Sequence, residues 1–281
     1  METRAAPART YSFEFFPPTT PEGRDKLHAT AQELAALKPK FFSVTYGAGG
    51  STRERTLDAV LDIRAMGHAA APHISCVAST HATIREWLQR YKDNGIRHLV
   101  ALRGDLPSGI AAAGEFRYAN ELVEFIRREF GDTFHIEVAA YPEFHPQAKN
   151  AQDDLVNFKR KVEAGADSAI TQYFYNADAY YRFVDECAKL QIAIPIVPGI
   201  MPIGRFSQLA RFSDACGAEI PRWMRERLEG YGDDVASIRA FGLDVVTRLC
   251  DDLLAHGAPG LHFYTLNQAA LTTEIWRRLG L

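Results

Sequence analysis

EAGADSAITQYFYNADAYYRFVDECAKLQIAIPIVPGI, residues 163–200, contains a complete strand–helix–strand unit. A helix from Gln152 to Glu163 leads into it and stops at Gly165, because glycine readily takes the left-handed turn that ends a helix. SAITQYFY then reads as a short strand that is apolar on both faces. Ala177 to Leu190 has helical spacing, and IAIPIVPGI is the next strand despite Pro195. Two such strands joined by one helix form the βαβ unit of a parallel sheet.

The same unit recurs in both directions. Towards the N-terminus lie candidate strands YSFEFF (11–16), FFSVTYG (41–47), AAPHISC (70–76), IRHLVALRGD (96–105) and TFHIEVAAYP (133–142). Helical patterns separate them at Glu22–Leu37, Thr52–Met66, Thr80–Lys92 and Glu115–Phe130. Towards the C-terminus the rhythm breaks. Helical stretches Arg205–Cys216, PRWMRERLEG and DVASIRAFGLDVVTRLCDDLLAHG come before an eighth strand, GLHFYTLN (260–267), and a last helix ending near Leu279. Three helix-to-strand junctions, DNGIRHLV, EAGADSAI and AHGAPGLHF, place Gly at the same point. Eight strands alternating with helices predict a (β/α)8 TIM barrel with extra helices between strands seven and eight. A doubly wound open sheet is the competing architecture. Residues 1–281 are read as one catalytic domain, with residues 1–10 a flexible leading segment.

Composition narrows the function. Thirty-two Lys and Arg oppose thirty-five Asp and Glu, for a net charge of −3, which favours neither nucleic acid nor an anionic membrane as partner. Cys76, Cys187, Cys216 and Cys250 are far apart and form no C-x-x-C pair, so no disulfide framework or structural zinc is expected. No apolar run reaches the length needed to span a bilayer, and METRAAPART lacks the apolar core of a secretion signal. The expected location is the cytoplasm.

In such a barrel, polar groups late in strands face the catalytic mouth. Glu14 stands between Phe13 and Phe15, where burying an ionised carboxylate is costly without partners. It reads either as a general acid or as half of a structural ion pair. Arg103, Gly104 and Asp105 make a compact turn after strand four, suited to holding an anion and accepting N–H bonds, or simply to an internal ion pair. Thr45, His73, Tyr141, His145 and Gln172 stand near four other strand ends. No H-x-H or H-E-x-x-H pair exists, so no metal is expected. Asp154, Asn157 and Lys161 share a helix face with Arg160 beside them, either to grip sugar and phosphate or as a solvated surface. Phe212 and Tyr264 read as core aromatics or as faces for a ligand ring. Neither G-x-G-x-x-G nor a P-loop is present, so any dinucleotide binds in a non-Rossmann manner.

Taken in order, YSFEFFPP, SVTYGAGG, APHISC, HLVALRGD, VAAYPEFHP, NFKRKVEAGA, ITQYFY, IVPGIMPI and LHFYTLN resemble methylenetetrahydrofolate reductase of the bacterial type that consists of the catalytic domain only. The resemblance runs from about residue 11 to residue 278. It implies non-covalent FAD, NADH or NADPH as electron donor, and ping-pong reduction of 5,10-methylenetetrahydrofolate to 5-methyltetrahydrofolate for methionine synthesis. The family's catalytic pair falls on Glu14, proposed to help protonate folate nitrogen-10, and on Asp105, beside the flavin pyrimidine edge and the pterin. FAD contacts fall on Thr45, His73, Arg103, Gly104, Asp105, Tyr118, Ala119, Ala140, Tyr141, His145, Asp154, Asn157, Arg160, Lys161 and Gln172. Substrate contacts fall on Glu14, Asp105, Gln172, Phe212, Tyr264, Leu266 and Gln268. The last is a departure, since some bacterial members carry Arg there. A dimer or tetramer is the implied assembly. Against this stands a flavin-free pterin- or folate-binding methyltransferase barrel.

Overall fold

The computed structural model describes residues 9–46, 52–104 and 114–281. Asp105, one of the expected catalytic pair, lies outside the described residues.

The described elements run β1 (Thr10–Phe15), α1 (Pro21–Ala35), β2 (Phe41–Val44), α2 (Arg53–Ala65), β3 (Ala70–Ser75), α3 (His81–Asp93), β4 (His98–Leu102) and α4 (Ala119–Phe130). They continue with β5 (His135–Ala140), α5 (Ala151–Glu163), β6 (Ser168–Thr171), α6 (Ala177–Lys189), β7 (Ile196–Val197) and β8 (Gly199–Ile200). The chain then forms α7 (Phe206–Cys216), α8 (Arg222–Gly230), α9 (Val235–Ala255), β9 (Gly260–Tyr264) and α10 (Ala270–Arg278). The sheet order is β7-β6-β5-β4-β3-β2-β1-β9-β8, with every pair parallel.

The expected seventh strand is split in two by Pro198, which has no N–H to give the ladder. Its first half pairs with β6 and its second with β9, so the chain itself bridges the two ends of the sheet and closes the barrel. Gly199 makes this seam possible. A Cβ there would stand 2.1 Å from the Thr171 carbonyl oxygen. Instead Gly199 N donates to Thr171 Oγ1 (2.9 Å), and the Tyr264 hydroxyl donates to Thr171 O (2.7 Å). The helices between the seventh and last strands, α7, α8 and α9, fill the interval where the rhythm breaks.

Helix boundaries follow the sequence pattern to within a residue or two, with one exception. The fourth helix starts at Ala119 rather than Glu115, because the Glu121 carboxylate accepts from Arg117 N (2.6 Å) and Tyr118 N (3.4 Å). That contact satisfies N–H groups a helix start leaves open.

Period two along each strand divides the side chains into two sets. Phe13, Phe15, Phe42, Val44, Leu261 and Phe263 join the large core between sheet and helices. The intervening residues face the barrel axis, where Phe41, Ala71 and Ile170 form a separate small core. Much of the rest of that inner set is polar, namely Ser12, Glu14, Ser43, His73, His98, Glu137 and His262, while Val100, Leu102 and Ala139 are apolar. Polar groups therefore stand both above and below a thin apolar plug. No helix among the described residues is long and apolar enough to cross a membrane.

Candidate active site at the carboxyl end of the barrel

Glu14 is the fifth residue of β1, with Ser43 and Tyr264 as its register partners. Its backbone carbonyl is fixed by Thr265 Oγ1, which donates at 2.6 Å. Its carboxylate Oε2 lies 3.4 Å from His73 Nε2 and 3.6 Å from His262 Nε2. His262 is fully buried, and its Nδ1 is 2.7 Å from Ser12 Oγ, which sets the ring's orientation. Burial pushes the His73 imidazole down to about 4, against the opposing pull of Glu14. His73 is therefore neutral at physiological pH. Neither His73 Nε2 nor His262 Nε2 has a hydrogen bond in this arrangement; both stand close to the carboxylate, and His73 also lines the space beside it.

That space is a cavity of about 420 Å³ lined by Glu14, Thr45, His73, Gln172, Phe212 and Tyr264 among others. Gln172 Oε1 accepts from Tyr173 N (3.0 Å), which leaves the amide NH2 as its free donor. Phe212, on α7, packs partly buried against the core and also lines the cavity, so it fills both roles open to it. Tyr264 is pinned by its bond to Thr171 O, and burial raises its hydroxyl well above the ordinary phenol value. It stays a neutral wall. Leu266 completes the rim in the left-handed region (φ 51°), and the exposed Gln268 stands outside both cavities.

A second cavity, about 470 Å³, opens beside the first and shares Leu102, Ala139 and Tyr141 with it. Arg103, Gly104, Tyr118, Ala119, His145, Asp154, Asn157, Arg160 and Lys161 line it. The Asp154–Lys161 helix face is thus a cavity wall. Lys161 Nζ reaches Ala139 O at 2.5 Å, and enclosure lowers its ammonium to about 8 while Asp154 pulls the other way. Arg103 Nη2 donates to Gln147 Oε1 (2.6 Å), and Arg160 Nη1 to Asn157 Oδ1 (2.8 Å). Asp154 Oδ2 accepts from His145 N (2.8 Å) and so anchors the loop after β5. Three cations around one cavity, one of them enclosed, suit a ligand carrying phosphate. Gly104 (φ +86°) keeps the loop tight, since a Cβ would collide with Ser75 Oγ.

Ala140 differs from the other expected contacts. Its side chain belongs to the outer core, its carbonyl accepts from Gln172 N (2.8 Å), and it lines neither cavity. Several lining residues escaped the sequence reading, among them Tyr46, Gln147, Tyr173, Met201 and Cys216. Gln147 and Met201 follow strand ends, which is the signal that picked out the others. Tyr173 and Cys216 belong to apolar patterns that carry no such mark.

The family model for methylenetetrahydrofolate reductase matches residues 1–280. The chain belongs to the methylenetetrahydrofolate reductase family. The 5,10-methylenetetrahydrofolate reductase of Escherichia coli is 44% identical over 96% of this chain and 90% of its own length. Methylenetetrahydrofolate reductase (NADH) 1 of Arabidopsis thaliana is 38% identical over 96% of this chain and 48% of its own. Among solved structures, a Clostridium thermocellum protein that binds two copies of 5-methyl-5,6,7,8-tetrahydrofolic acid superposes with a TM-score of 0.68. It covers 96% of this chain and 94% of its own at 14% identity, a likeness of fold. Both cavities therefore sit in a methylenetetrahydrofolate reductase barrel, at the strand ends where such barrels place their chemistry.

Proposed function

We propose that this reductase converts 5,10-methylenetetrahydrofolate to 5-methyltetrahydrofolate with non-covalently bound FAD, taking electrons from NADH in preference to NADPH, in a cytoplasmic ping-pong cycle. One observation carries the reading: a cationic cavity joins a carboxylate-bearing one through Leu102, Ala139 and Tyr141. The names of the rice and Arabidopsis relatives, which specify NADH, support the donor.

Bound flavin would supply the two-electron chemistry that side chains lack. Arg103, Arg160 and Lys161 would balance a diphosphate, with Asn157 and Asp154 beside its sugar. The family resemblance alone assigns Asp105 to the flavin pyrimidine edge. Glu14 would pass a proton to folate nitrogen-10, and His73, held neutral by burial 3.4 Å from the carboxyl, does not compete for that proton. Gln172 turns its free amide N–H groups to the ligand in the first, carboxylate-bearing cavity. Phe212 and Tyr264 give that ligand aromatic walls and keep bulk water from the carboxyl.

The test is spectroscopic. Purified protein should be yellow, and NADH should bleach it anaerobically faster than NADPH does. Methylenetetrahydrofolate should then restore the oxidised spectrum and yield the 5-methyl product. A reduced holoprotein that this folate never reoxidises refutes the substrate. A colourless protein that transfers a methyl group without nicotinamide would instead be the methyltransferase barrel.

A further inference from the structure

Three side chains that the folate chemistry does not use converge at the opposite, amino-terminal mouth of the barrel. His98 opens β4 and His135 opens β5, and the two are register partners across the parallel pair. Glu137 follows two residues later on the same face of β5. Glu137 Oε1 lies 3.1 Å from His98 Nε2 and 3.5 Å from His135 Nε2. One ligand atom from each of the three residues falls within 4.8 Å of the others. Ligands around a tetrahedral divalent ion at ~2.0–2.1 Å stand ~3.3 Å apart, the size of both measured edges.

A simple ion pair explains the cluster poorly. It would need one imidazole, and His98 Nε2 already makes that bond, yet His135 Nε2 also stands 3.5 Å from the same oxygen while bonded to Ser168 Oγ. The other oxygen, Glu137 Oε2, is buried and has no hydrogen bond. A carboxylate only 4% exposed is costly to leave half-satisfied, and a cation shared with both rings removes that cost. The surroundings have the order of a ligand shell. Asp167 Oδ2 stands 3.8 Å from His135 Nδ1, and it is itself held by Arg127 Nη2 (2.5 Å) and Ile136 N (2.7 Å). At that distance the carboxylate is a charged neighbour of the ring, not its hydrogen-bond partner. The Ser168 hydroxyl, 2.6 Å from His135 Nε2, adds a neutral oxygen beside the set. Phe41 packs on His98 with centroids 4.1 Å apart and separates the cluster from the catalytic end. The half-exposed His135 leaves a route from solvent.

We propose that His98, His135 and Glu137 form a site for a borderline divalent cation, zinc or a close analogue, that ties β4 to β5 at the amino-terminal mouth. Two imidazoles and one carboxylate favour such ions over magnesium or calcium. The site is structural, and it stands whether or not the folate assignment does.

The experiment uses untagged protein, stripped with chelator and then freed of it, and titrated with Co2+. One equivalent should bind with the intense visible absorption of a four- or five-coordinate ion, and Zn2+ should displace it. Zn2+ should also raise the thermal midpoint. His135→Ala changes the more exposed ligand. It should melt like the wild type without metal, lose at least about tenfold in Co2+ affinity, and show no Zn2+-dependent rise. Glu137→Gln should weaken binding likewise and covers the case in which the first variant fails to fold. Absence of a bound equivalent, an octahedral spectrum, or variants that bind within about tenfold of wild type overturns the proposal.

Discussion

Glu14 is placed so that its role can be separated from its shape. Glu14→Gln keeps volume and hydrogen-bonding capacity but cannot deliver an acidic proton. Reduction by NADH should change by less than about threefold, while reoxidation by methylenetetrahydrofolate should fall by about 100-fold or more, the usual range for a lost general acid. Rapid-mixing kinetics of the two half-reactions check this, and equal, modest losses in both would remove Glu14 from proton transfer. Lys161 gives a second residue-scale prediction, with a sign. Its ammonium titrates at about 8 in the folded protein, below the ordinary 10.5. A lysine lowered on folding costs stability below the folded value, and the cost is relieved as pH rises from about 8 towards about 10.5. Ligand-free wild type should therefore gain stability over that window relative to Lys161→Met, which has nothing to titrate there. The same variant should lose at least about tenfold in FAD affinity, because the enclosed cation is the one best able to meet a phosphate. Urea denaturation across pH and calorimetric FAD binding measure the two effects.

At the scale of elements, the barrel's weakest joint is its seventh strand. Ile196–Val197 and Gly199–Ile200 supply only two residues each to the ladder, and Pro198 interrupts them. The joint holds because the backbone at Gly199 can approach Thr171 and Tyr264 closely. Gly199→Ala should cost about 1–3 kcal/mol, the range for overpacking a tight site, and should lower folate turnover as well by displacing Tyr264. A chemical-denaturation midpoint equal to wild type would show that the seam relaxes freely. This joint also marks the limit of reading strands from letters. IAIPIVPGI announced a strand through its apolar run, and its length did not reveal the split, which follows from Pro198 lacking a donor. Helices were legible because Gly95, Gly165 and Gly257 terminate them by a local rule. The start of the fourth helix was not, because it depends on where the Glu121 carboxylate lands. The His98–His135–Glu137 cluster was invisible for a different reason. Two of its members share β5, but the third, His98, reaches them through a strand register that no spacing rule encodes.

Across the whole molecule, most expected site residues come together because a barrel sends every strand end to one mouth, and position at a strand end was the property read. What the letters left open was how that mouth is divided. Phe212 read first as a core residue, and the Asp154–Lys161 face, taken by itself, as solvated surface. Only the packed molecule shows one cavity of about 470 Å³ and another of about 420 Å³, meeting at Leu102, Ala139 and Tyr141. That division has a kinetic consequence. The smaller cavity is of a size for one ligand ring system, not two, so under the proposed flavin mechanism nicotinamide and pterin would use it in turn. The two substrates should then exclude one another. Double-reciprocal plots for NADH at several folate concentrations should be parallel, and excess methylenetetrahydrofolate should inhibit competitively against NADH. Phe212→Ala, which strips one wall from the shared space, should raise KM for both substrates instead of one. Intersecting plots, or a Phe212→Ala defect confined to a single substrate, would mean that nicotinamide and folate bind in separate places and that the smaller cavity serves only one of them.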